Sequence, residues 1–211
     1  LTVIAGTHAT KLLFGASTAI GDNRYLKLPD SPKIFVTSAR FFDSVNQPLD
    51  VYRSHDLLVF EMWNAPQIAI SSPVASYTLV KQGDLPAAAQ RQAGRWQLTE
   101  PLVDVADSSV ISTTLTKLRG LRIERFITDE PKVEQVSEWG FETPSAHIAI
   151  AVGKEAKPLE LFVGKPTNDN PEHLYAKRTD EPTIYAVAKA RMDEILLDPQ
   201  TLRSHALFDF F

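Results

Sequence analysis

The sequence has no cysteine, which excludes disulfides, zinc–thiolate centres and cysteine nucleophiles together. That absence names no compartment, because a reducing cytosol and an oxidising periplasm both tolerate it. There is no basic excess either: 22 Lys and Arg stand against 26 Asp and Glu, a net charge of −4. A nucleic-acid partner is set aside on that ground, since such binders carry a basic excess or a basic stripe. Long apolar runs are lacking too; 57–60 and 148–152 are among the longest. Both fall far below the roughly 20 residues that cross a bilayer, so direct membrane insertion by this segment is not expected. The five histidines, His8, His55, His147, His173 and His205, show no HxxxH or HExxH spacing. No metal site and no cofactor is therefore readable, and no catalytic residue is assigned.

What is present is ordinary globular composition, 44% apolar and 23% charged over 211 residues, enough for a sizeable core. The chain begins at Leu1 rather than at a methionine, which leaves room for an upstream signal, anchor or further domain.

One phrase occurs twice. Residues 52–60 read YRSHDLLVF and residues 202–210 read LRSHALFDF. The same displacement of 150 pairs Tyr25 with Tyr175, Lys27 with Lys177, Asp30 with Asp180, Pro32 with Pro182, Ile34 with Ile184 and Asp43 with Asp193. One residue of slack upstream brings Gly15 onto Gly164. A period this long exceeds the roughly 20 to 50 residues of solenoid units, so each copy is a domain in its own right. The reading is a tandem repeat: residues 1–61 are the C-terminal part of a first unit and 62–211 a complete second one.

Within the second unit, alternating apolar and β-branched residues predict strands at 67–71, 75–80 and 94–99, the last stopped by Pro101. Residues 83–93 read as a loop or weak helical turn. Asp107 or Ser108 caps a helix whose Val110, Ile111, Leu115 and Leu118 share one face, with Gly120 near its end. A strand at 121–127, a short charged helix at 130–138 and a turn at Trp139-Gly140-Phe141 follow. Strands at 147–152, 159–163, 173–177 and 183–187, separated by Gly153, Gly164 and the 168–172 run NDNPE, form an antiparallel meander. A helix at 189–197 and a capping turn at 198–205 lead into 206–210. The fold class is α+β: antiparallel sheets with helices packed on one face, in the manner of TATA-binding-protein-like or helix-grip folds. Such an analogy carries no function.

Several of these elements carry a recognisable set of motifs: G-x-W-x-L-T-x-P at 94–101, a capped helix, W-G-F-x-x-P at 139–144, L-x-V-G at 161–164, Y-A-K at 175–177 and I-Y-A-V at 184–187. The set resembles the bacterial family called domain of unknown function 4340, over about 64–211 and, as the end of a preceding copy, over 1–60. Trp139 stands where that family usually has tyrosine. The resemblance implies an extracytoplasmic location, periplasmic or membrane-anchored with the anchor outside this segment. It implies a protein partner in a membrane-associated complex, because members are often encoded beside ABC-type transport components, including those likened to gliding machinery. It supplies no catalytic residues.

Candidate chemistry is sparse. The stretch VGKPT at 163–167 is not a phosphate loop, since Leu159 and Pro166 occupy the places that motif gives to Gly and to Ser or Thr. Arg53 and His55, with Arg203 and His205, are the repeated polar features; they read as a repeated partner site or, preferably, as caps of the last helix, where cations suit the carbonyl end. Trp63, Trp96 and Trp139 could form a ligand platform, although large aromatics in strands and turns are mostly core; Trp63, at the junction, is a position to join the two units. Glu130, Glu134 and Glu138 form one negative stripe if helical, which is ordinarily a solvated face. The leading functional expectation is a non-catalytic repeat module, an accessory or scaffold subunit. The alternative is a small-molecule or lipid binding domain with an apolar cavity between helix and sheet; an enzyme ranks third.

Overall fold

Two units divide the chain, Leu1–Arg53 and Ser54–Phe211, in a computed structural model that describes residues 1–81, 83, 96–153 and 157–205. Three expectations fall outside the described residues: the loop at 83–93 except Gly83, the start of the strand at 94–99, and the run 206–210.

In the first unit, β1 (Thr2–Ala5) and β2 (His8–Lys11) form a hairpin. Gly6 turns it at a φ of +60°, a backbone region that favours glycine. A three-stranded antiparallel sheet follows, of β3 (Leu13–Ser17), β4 (Asn23–Lys27) and β5 (Ile34–Ser38) in that order. Ser38 then accepts a hydrogen bond from the Arg40 amide and caps α1 (Ala39–Val45). A 3-10 turn at Leu49–Tyr52 closes the unit.

The second unit runs β6 (Gln67–Ser71), β7 (Ser76–Lys81), β8 (Trp96–Glu100), β9 (Asp104–Val105), α2 (Ser108–Arg119), β10 (Arg125–Thr128), α3 (Val133–Glu138), β11 (Ala146–Ala151), β12 (Leu159–Pro166), β13 (His173–Arg178), β14 (Ile184–Ala188), α4 (Lys189–Asp193), with a 3-10 turn at Pro199–Leu202. Its strands make one nine-stranded sheet in the order β10-β14-β13-β12-β11-β6-β7-β8-β9, antiparallel throughout. The expected meander is its centre, β11 to β14, each strand beside its sequence neighbour.

Strand alternation gives the sheet two different faces. Ile68, Ile70, Leu79, Leu98, Ile148, Ile150, Leu161 and Val163 point to the main core. There they meet α2, whose Ile111, Leu115 and Leu118 recur at the spacing of one helix face. The Asp107 carboxylate accepts from the Ser109 and Val110 amides and begins that helix, and Gly120 ends it. On the other face, Trp139, Phe141, Tyr175 and Ile184 make a smaller core, with Val136 of α3 packed against it.

Four sequence expectations shift. Gly164, expected to separate strands, lies inside β12, which continues to Pro166. The alternation at 121–127 is real, but only 125–128 join the sheet. Leu121 and Ile123 are buried and bond instead to the segment before β6: the Leu57 amide donates to the Leu121 carbonyl and the Ile123 amide to the His55 carbonyl. The helix expected from 130 starts at Val133, because Pro131 and the bond from the Lys132 amide to Gln135 Oε1 fix its first turn later. Glu130 thus lies outside the helix and the three-glutamate stripe does not form. The helix expected over 189–197 stops at Asp193; Leu196 and Leu197 turn onto the core, and Asp198 precedes Pro199, which disfavours helical backbone.

The two units use matching registers. In the first, Tyr25 faces Val36 and Lys27 faces Ile34; in the second, Tyr175 faces Ala186 and Lys177 faces Ile184. Each position is displaced by 150. Across the preceding pair, Leu13 faces Lys27 and Phe14 faces Leu26, with an irregularity before Ser17 opposite Arg24. Phe162 faces Lys177 and Val163 faces Ala176, with an irregularity before Pro166 opposite Leu174. The bulge sits at equivalent places in both and leaves β3 and β12 displaced by 149; the one residue of slack lies in the loop that follows, Ser17 to Arg24 against Pro166 to Leu174.

Candidate functional site

The motif residues of the second unit converge on the outer face of β12, β13 and β14. After α3, Gly140 adopts a φ of +86° and reverses the chain, which lays the Trp139 and Phe141 side chains on the sheet. Trp139 stacks on Tyr175 with ring centres 5.1 Å apart. The Lys177 ammonium stands 5.0 Å from the centre of the Phe141 ring and 5.6 Å from that of Phe162, within cation–π range. The turn is hydrogen-bonded to the strand beneath it, since the Lys165 amide donates to the Trp139 carbonyl at 2.8 Å.

Gly164 makes this approach possible. A Cβ there would lie 2.2 Å from the Trp139 carbonyl oxygen, so no other residue fits without moving the turn. W-G-F, V-G, Y-A-K and the isoleucine of I-Y-A-V, scattered over 139–187, are thus parts of one packed cluster. Sequence reasoning placed Trp139 in a turn, with a ligand platform as the alternative, and read Tyr175, Lys177 and Gly164 as repeat matches and members of separate motifs. Their meeting was not visible, although the recurrence of all three in both copies was the available signal.

The other sequence candidates lie apart from this cluster. Arg53 follows the 3-10 turn Leu49–Tyr52, its amide donating to the Asp50 carbonyl and its guanidinium 3.7 Å from the Asp50 carboxylate. Arg203 follows the 3-10 turn Pro199–Leu202 in the same way, and its Nε donates to Asp104 Oδ2 at 2.6 Å. His55 Nδ1 lies 2.7 Å from the Ile123 carbonyl oxygen, and its ring meets Phe126 edge-on. His205 is exposed; the Asp107 carboxyl is held below its ordinary range by hydrogen bonds from the Ser109 hydroxyl and amide and the Val110 amide, with a smaller contribution from His205. Trp96 is buried in the main core, whereas Trp63 is 75% exposed.

Polar clusters elsewhere are ion pairs on the surface. Arg125 and Asp169 form a two-pronged pair at 2.6 and 2.8 Å, which holds the Asp169 carboxyl well below the usual carboxylate range. His147 stacks on Phe162 at 4.2 Å, with Nε2 3.3 Å from Glu160. A cleft of about 360 Å³ is lined by Lys117, Arg122, Glu124, Arg191 and Glu194 among others, charged walls unlike those of an apolar ligand cavity. Among the described residues, no group of three or more His, Asp or Glu side chains is placed to hold a metal ion. No helix of the described residues is long and apolar enough to cross a membrane. The motif cluster itself offers apolar packing and a cation–π contact.

Comparison with known proteins agrees with the motif reading. No curated protein and no solved structure matches the chain. A family model does, twice, over residues 1–132 and 96–210. The chain, matched along nearly its whole length, belongs to the family described as Domain of unknown function (DUF4340).

Proposed function

We propose that this protein is a non-catalytic repeat module of the bacterial envelope, an accessory or scaffold subunit of an ABC-type transport-associated complex. In this reading residues 1–61 end one sequence copy and 62–211 make up the next, with Leu57, Leu58 and Phe60 packing into the core of the copy that follows. The observation that carries it is the shared register of β3–β4–β5 and β12–β13–β14, displaced by 150 in the last two strands and by 149 in the first, with the bulge at the same place in both. Strand register is fixed by which side chains face the core, so two unrelated sheets have no reason to agree in it. The repeated aromatic, glycine and lysine positions are packing positions in the second unit, which supports a part that holds other parts. The envelope location and the transport partner rest on the family resemblance.

The test is fractionation of the native cell, followed by capture of the tagged natural protein from the envelope fraction and identification of what accompanies it. Envelope recovery with transport-complex subunits is the expected result. Recovery from the cytosol, or from the envelope with no protein partner, would contradict the reading.

A further inference from the structure

The first unit carries a groove of about 230 Å³ whose lining includes Leu13, Gly15, Tyr25, Lys27 and Ile34. These are the counterparts of Phe162, Gly164, Tyr175, Lys177 and Ile184, the floor on which Trp139 and Phe141 rest in the second unit. We propose that the groove is the docking site of an aromatic–Gly–aromatic turn, the first unit's own equivalent of Trp139-Gly140-Phe141. The inference rests on the repeat reading and adds to it what covers the first unit's sheet.

Register carries the argument. Leu13, Lys27 and Ile34 face one another across three strands, as do Phe162, Lys177 and Ile184. In the second unit the turn covers this row, and Tyr175 and Ile184 are 5% and 1% exposed. In the first, Tyr25 and Ile34 are 43% and 67% exposed. A sheet face meant for water alternates to polar residues, yet this one keeps the tyrosine, the isoleucine and an apolar residue at 13. It also keeps a glycine where the incoming backbone must pass, and a lysine where a second aromatic ring would receive its ammonium. The second unit shows the occupant of such a face: a turn that ends a short helix, contributes two aromatic rings and accepts one hydrogen bond from the bulged strand.

The probe is a synthetic peptide spanning residues 132–145, KVEQVSEWGFETPS, titrated into the isotope-labelled 211-residue chain and followed by NMR. The groove reading predicts saturable shifts at Gly15, Tyr25, Lys27 and Ile34. Carrying Trp139→Ala in the peptide should weaken them by about tenfold or more, as for loss of an anchoring aromatic. Gly15→Val in the protein should abolish them. Because the Trp139→Ala change is in the peptide, it decides the matter even if Gly15→Val disturbs the sheet. Absence of shifts, shifts confined to Gly164, Tyr175 and Lys177, or equal binding by the alanine peptide would overturn the proposal. The same spectra report cross-strand contacts of Tyr25 with Val36 and Lys27 with Ile34. If those contacts are present and binding is absent, the groove alone fails; if they are absent, the repeat reading fails with it.

Discussion

Gly164 and Asp107 concentrate the residue-scale account. Gly164→Ala places a methyl carbon against the Trp139 carbonyl. We expect it to cost about 3 kcal/mol, at the upper end of what overpacking does, read as a lowered urea midpoint with loss of the Trp139 fluorescence environment. Asp107→Ala removes the cap of α2 and should cost about 1 kcal/mol at neutral pH. The sign with pH follows from the depressed carboxyl: its contribution is present above the ordinary aspartate value of about 3.9 and is lost as pH falls through the lower folded value. Wild type and Asp107→Asn should therefore converge in stability as the pH drops below about 4, in acid titrations of the two proteins. The Asp107 cap was legible because N-cap chemistry is local. The role of Gly164 was not, because the clash that requires glycine comes from a carbonyl 25 positions earlier in the chain.

Elements show the same division between local and distant causes. The strands at 67–71 and through the meander were readable from alternation, and α2 from its cap and periodic face, since these patterns need no knowledge of neighbours. Partners were not readable. Alternation at 121–123 fixes which side chains turn inward but not that 55–57, rather than a sheet strand, supplies the hydrogen bonds. The repeated phrase has an element-level meaning of the same kind: Leu57, Leu58 and Phe60 are buried in the main core of the second unit while Val59, between them, is 72% exposed. Leu57→Ala should cost about 2 to 5 kcal/mol and Val59→Ala within about 0.5 kcal/mol, measured as chemical denaturation of the second unit. Equal effects at the two positions would mean that the segment does not pack as a strap on that core.

At the scale of the whole molecule, composition showed neither a basic excess nor a long apolar run, and the displacement of 150 organised the rest. Sequence matches alone could not distinguish a shared fold from shared turn residues; strand registers and the bulge can, because they depend on every side chain along the ladder. The two units should differ in stability, since one has a continuous core and the other leaves apolar side chains exposed. The most direct measurement of the central claim is residue-resolved amide hydrogen exchange on the intact chain. The account predicts that protected amides in β4 and β5 fall at the positions protected in β13 and β14 minus 150, with faster exchange in the first unit. Protection at positions offset from that pattern by even one residue would mean a different register, and would contradict the claim that one structural unit is written here more than once.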